Sequence, residues 1–107
     1  MTRTIRVYWG QRTTGWFNFN WAGVIDRQSV IHISASEGSL SGGLGSTLDG
    51  IGRFRGAAVI GVRNVTPHID SGGGGGVEFY LETGWETPIN VVTDITVMDP
   101  VEDAVIV

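Results

Sequence analysis

Residues 16–21 read Trp16-Phe17-Asn18-Phe19-Asn20-Trp21. Alternation this strict divides an extended chain between two surfaces, because successive side chains of a strand point opposite ways. Phe17, Phe19 and Trp21 then form a core face, and Trp16, Asn18 and Asn20 form the face behind it. The second set joins a flat aromatic ring to amide groups, a combination that suits either sugar recognition or a subunit contact.

The same period recurs along the chain, while the helical period is almost absent. Residues 4–9 set Ile5, Val7 and Trp9 against Thr4, Arg6 and Tyr8, and residues 29–36 set Ile31, Ile33 and Ala35 against Val30, His32 and Ser34. Residues 77–82 and 89–98 alternate in the same way. Residues 57–65 are apolar on both parities, the pattern of a central strand covered on both sides. Six or seven strands in 107 residues predict an antiparallel all-β fold. Two apolar sheet faces are hidden by stacking them, which predicts a two-sheet sandwich, immunoglobulin-like or jelly-roll-like, with a small barrel as the alternative. The length corresponds to one domain spanning residues 1–107.

The punctuation between these runs is rich in glycine. Gly10 to Gly15 reads as a polar turn, Gly23 as a bulge or bend, and Thr66-Pro67 with Gly72 to Gly76 as a long loop. Trp85 stands at a corner between Thr83-Gly84 and Thr87-Pro88. In residues 37–52, Leu40, Leu44, Leu48 and Ile51 are interspersed with glycines, which favours a loop tucked onto the core over a short helical turn. The last residues, 101–107, are mostly apolar, and two outcomes are expected for them: an edge strand, or a tail inserted into a neighbouring subunit.

Composition narrows the function classes. With no cysteine, the chain has no disulfides, thiolate metal sites or cysteine nucleophile. A net charge of −4 sets the surface as a whole against polyanions, so nucleic acid is not an expected partner. All 7 basic residues are arginines, whose planar forks suit carboxylates, aromatic faces and partner subunits. No apolar run reaches the roughly 20 residues of a membrane-spanning helix, and the N-terminus lacks a cleavable secretory leader. The expectation is a soluble protein, cytoplasmic or exported by a route without such a leader.

Catalytic and metal signals are weak. His68, Asp70 and Ser71 are near neighbours in a proline-bearing stretch, whereas a nucleophilic triad converges from separate elements, so a solvated loop is the expected reading. Glu78 and Glu82 share a strand face but stand roughly 13 Å apart, too far for a retaining glycosidase pair. Asp70 beside a glycine run falls short of a calcium cage. The five glycines from Gly72 to Gly76 lead into a strand rather than a helix, so they read as a flexible connector and not as a phosphate cradle. Asn64-Val65-Thr66 matches a glycosylation acceptor only formally, being followed by Pro67. No cofactor and no metal is expected.

The aromatic residues carry more information. Of the four tryptophans, Trp9 and Trp21 read as core, whereas Trp16 and Trp85 are readable as sugar platforms or as interface residues. The predicted binding residues are Trp16, Asn18, Asn20, Arg12 and Trp85. The function expected from them is non-catalytic, lectin-like carbohydrate binding, strengthened by homo-oligomerisation. The competing expectation is an assembly subunit of a particle surface or toxin, whose aromatics and tail meet protein.

Overall fold

A computed structural model describes residues 1–41 and 48–107. Among the described residues the chain forms strands β1 (Arg3–Arg12), β2 (Gly15–Asn20), β3 (Val30–Leu40), β4 (Ile51–Phe54), β5 (Gly61–Ile69), β6 (Gly75–Glu82) and β7 (Ile89–Met98), with one 3-10 turn at Leu48–Gly50. They make two antiparallel sheets, ordered β1-β7-β3-β4 and β2-β6-β5. The all-β, two-sheet expectation therefore holds. No helix among the described residues is long and apolar enough to cross a membrane.

The core lies where the apolar parities meet. Val77, Phe79 and Leu81 of β6 and Val91 and Ile95 of β7 are wholly buried, joined by Phe17 and Ile33. Trp9 is the hub: its ring lies edge-on to Phe17, Phe19 and Phe79, with centroids 5.0, 6.4 and 6.1 Å away. Such pairs contribute about 0.5–1.5 kcal/mol each beyond area burial. Trp9 is also the extra residue of a β1 bulge, completed by Gly10 at φ 74°. The indole donates its N–H to the Thr93 hydroxyl at 2.9 Å, satisfying a polar group buried in the core.

Several boundaries differ from the pattern reading, each for a physical reason. Residues 57–60 are not strand, and β5 begins at Gly61, on the edge of its sheet rather than at its centre. Apolar residues of both parities arise there because Ala58 and Ile60 cover the core from irregular backbone while Val59 is exposed. Thr66-Pro67 belongs to β5, not to a loop; an edge strand has one unpaired side and tolerates the missing N–H of proline. Gly75 and Gly76 are buried residues of β6 rather than connector. β1 continues through Gly10 to Arg12, leaving only Thr13-Thr14 as the turn. This turn is pinned where the buried Thr83 N–H donates to the Thr14 hydroxyl at 3.0 Å. Of the leucines between 37 and 52, Leu44 lies outside the described residues; Leu40 ends β3, and Leu48 opens the 3-10 turn. The expected edge strand at 101–107 does not form: these residues are exposed coil, and the Val101 N–H donates to the Gln28 carbonyl.

The outer face of the four-stranded sheet is tied together by charge. Arg6 grips Asp94 with two bonds of 2.7 and 2.9 Å, and Arg53 adds a third at 2.8 Å while also donating to Ser34 and Ser36. One carboxylate thereby links β1, β7, β3 and β4. The Arg6 hydrogen bond, reinforced by Arg53 and opposed by partial burial, holds the Asp94 carboxyl below its usual range. A depressed folded value stabilises the fold above the unfolded carboxyl's pKa, near about 4, and this stabilisation is lost as pH falls through the folded value. Asp94→Asn is expected to cost about 1–3 kcal/mol at pH 7. In urea melts between pH 7 and pH 2, the variant's stability is expected to fall less steeply on acidification than the wild type's.

Candidate functional site

The outer face of the β2-β6-β5 sheet gathers most of the predicted binding residues. Because Phe17 and Phe19 of β2 and Val77, Phe79 and Leu81 of β6 point into the core, the alternate residues point out. Strand pairing arranges them in three rows: Trp16–Tyr80–Arg63, Asn18–Glu78–Thr66 and Asn20–Gly76–His68. The third strand joins this grid through a bulge. Arg63 and Thr66 are three residues apart yet pair with Tyr80 and Glu78, which are two apart. The extra residue, accommodated by Asn64 at φ 53°, shifts the parity of β5 so that Arg63, Thr66 and His68 all face outward.

Gly76 leaves a gap in the middle of the last row, and side chains from the two flanking strands close over it. A Cβ at this position would lie 2.5 Å from Asn20 Oδ1 and 2.8 Å from His68 Cε1. Across the gap the His68 Nε2 meets Asn18 Oδ1 at 2.6 Å, and Asn18 Nδ2 donates to Asn20 Oδ1 at 2.9 Å. On its other side His68 Nδ1 meets Asp70 Oδ1 at 3.1 Å. Asp70 is itself held in a closed turn, its N–H donating to the Gly74 carbonyl and its carbonyl accepting from the Gly73 N–H, with Gly73 at φ 87°. The result is a hydrogen-bonded chain, Asp70–His68–Asn18–Asn20, that fixes two exposed amides in defined orientations. Ser71 takes no part in it.

The rest of the face is aromatic and acidic. Trp16 is 61% exposed, and Tyr80 braces it edge-to-face at 5.2 Å between centroids. Arg63 pairs with Glu82 at 3.0 Å, whereas Glu78, in the centre, has no hydrogen-bond or ion-pair partner among the described residues. Among these residues no three of His, Asp and Glu form a group able to hold a metal ion.

Trp16, Asn18 and Asn20 are thus brought together, and Arg12 lies at their edge. The Arg12 guanidinium is exposed, makes one long contact to the Gln11 carbonyl, and lines a shallow depression with Thr13, Trp16 and Asn18. Trp85 stands apart on the β6–β7 connection, half-exposed in a separate depression with Gly84, Glu86 and Thr87. Tyr80, Glu78 and His68 are members of the face that pattern reading did not include. The alternation of 77–82 placed Tyr80 and Glu78 outward and so carried a signal; His68 was hidden by Pro67 and by the β5 bulge. No family model, curated protein or solved structure matches this chain.

The neighbouring glycines of β6 have separable roles. A Cβ at Gly75 would collide with the Ile25 carbonyl in the β2–β3 connection, a rigid backbone obstacle, whereas one at Gly76 meets only side-chain ends. Gly75→Ala is therefore expected to destabilise the protein by at least about 2 kcal/mol in urea melts. Gly76→Ala should cost less, and should displace His68 from Asn18, seen as altered Asn18 and Asn20 side-chain amide resonances.

Proposed function

We propose that the outer face of the β2-β6-β5 sheet binds carbohydrate without altering it. The observation that carries this reading is the exposed Trp16 ring, braced by Tyr80, beside amides already held in place by His68. An indole face packs against the C–H face of a sugar ring, and amides and a free carboxylate such as Glu78 satisfy hydroxyls around it. Groups ordered before binding lose less conformational freedom on binding, which favours affinity on so shallow a surface. His68 spends both ring nitrogens on contacts within the protein, to Asp70 and Asn18. That supports recognition rather than catalysis. Single-site affinity on an open face is expected to be weak and to be raised by presenting several copies.

The test is a glycan array probed with multivalently displayed protein. Trp16→Ala should keep the fold, because the residue is mostly exposed, and should lower binding at least about tenfold, equivalent to about 1.4 kcal/mol. An array without a retained glycan, or binding that survives the substitution, refutes the reading.

A second reading, an assembly subunit, is favoured by one observation: Val101, Val105, Ile106 and Val107 are all exposed in the coil after β7. Apolar side chains grouped in this way point to burial against protein. On that reading, light scattering shows a discrete oligomer that dissociates when residues 101–107 are deleted. An unchanged number of subunits after the deletion rules the tail out as the contact.

A further inference from the structure

The contacts of His68 couple its protonation to the orientation of two amides. Both ring nitrogens face oxygens: Nδ1 faces the Asp70 carboxylate and Nε2 faces the Asn18 carbonyl oxygen, whose amide nitrogen is committed to Asn20 Oδ1. Two acceptors on opposite sides of an imidazole are satisfied together only when both nitrogens carry protons. The imidazolium is the form that satisfies this arrangement of acceptors.

A neutral ring has one proton to place. On Nε2, it would leave a bare Nδ1 lone pair against a carboxylate, which is the worse clash; on Nδ1, it keeps the charge-assisted bond to Asp70. The bare Nε2 then needs a donor, and Asn18 supplies one by turning its amide so that Nδ2 faces the ring. Its Oδ1 now faces Asn20 Oδ1, so Asn20 must turn as well and donate to it. We propose that protonation of His68 sets the orientation of both amides, and that Asn20 presents its N–H₂ outward when His68 is charged and its carbonyl oxygen outward when His68 is neutral.

The inference rests on the carbohydrate reading for its purpose, though not for its physics. Sugar hydroxyls donate and accept, so they tolerate either orientation of Asn20. A group that can only accept, such as the carbonyl of an O-acetyl substituent, is tolerated only when Asn20 donates. His68 thus acts as a positioning residue that favours O-acetylated sugars at acidic pH. Histidine is the side chain suited to this role, since its charge changes between about pH 5 and 8. The ionisable groups facing it are both carboxylates: Asp70 in contact, and Glu78 further along β6 on the same face. β2 contributes only the two amides.

The experiment is an NMR titration of the ¹⁵N-labelled protein between pH 5 and pH 8.5, with no sugar present. His68 ring nitrogens and the side-chain amides of Asn18 and Asn20 are followed, and the exposed His32, on the other sheet, is the control. The expected result is a charged ring at low pH and the Nδ1–H form at high pH, with both amides shifting at the His68 midpoint and not at that of His32. Asp70→Asn should weaken the preference for the Nδ1 proton. Neutral His68 protonated on Nε2, or amide resonances that ignore its titration, would overturn the inference whatever the protein binds. On the array, the ratio of O-acetylated to non-acetylated glycan signal should rise about threefold to tenfold from pH 8 to pH 5, the worth of one hydrogen bond. A flat ratio on bound glycans counts against the inference, while an array with no binding removes the carbohydrate reading and leaves the amide switch to be decided by the titration.

Discussion

The contact between the two sheets is the constraint on which everything else depends. Phe79, Leu81 and Val77 face Val91 and Ile95 across a thin core, and Trp9 fills the space between them with its ring edge-on to three phenylalanines. A one-residue slip in any of these strands would turn its apolar set out to water, so the packing fixes register as well as proximity. Once the inward parity of β2 and β6 is set, the outward parity is set too. Trp16, Asn18, Asn20, Tyr80 and Glu78 come to share a surface because their neighbours in sequence share a core.

Departures from ideal strands give that surface its shape. The bulge at Trp9 and Gly10 lies where the indole enters the core and donates its N–H to Thr93, so this large side chain leaves no polar group unsatisfied. The bulge in β5 reverses parity between Arg63 and Thr66 and so delivers His68 to the outer face. Gly76, having no side chain, allows residues two strands apart to touch. Bulges re-aim side chains in this way at a small cost in regular pairing.

The two outer faces use charge differently. On the four-stranded sheet, Asp94 is saturated by Arg6 and Arg53, and the polar groups are consumed in joining strands. On the three-stranded sheet, Glu78 is unpartnered among the described residues, Trp16 stands open, and the amides of Asn18 and Asn20 have capacity to spare. A face whose polar groups satisfy one another is structural in character, whereas one with oriented and unspent groups can recognise a ligand.

Alternation along 16–21, 77–82 and 89–98 was enough to determine an antiparallel all-β fold, the core parity of those strands and the outward placing of Trp16, Asn18 and Asn20, because period two is a local property of extended backbone. Register, strand order and the bulges are not local. The sequence alone therefore misread 57–65 as a central strand, Thr66-Pro67 as a loop, and Gly75 and Gly76 as linker, and it left 101–107 open between an edge strand and an inserted tail. Only the tertiary structure could show that Pro67 sits at an edge, where a missing N–H is harmless, and that Gly76 lies between Asn20 and His68. The meeting of His68 with Asn18, fifty residues away along the chain, depends on a parity shift and an absent side chain acting together, and neither alters the pattern that a strand writes into its own sequence.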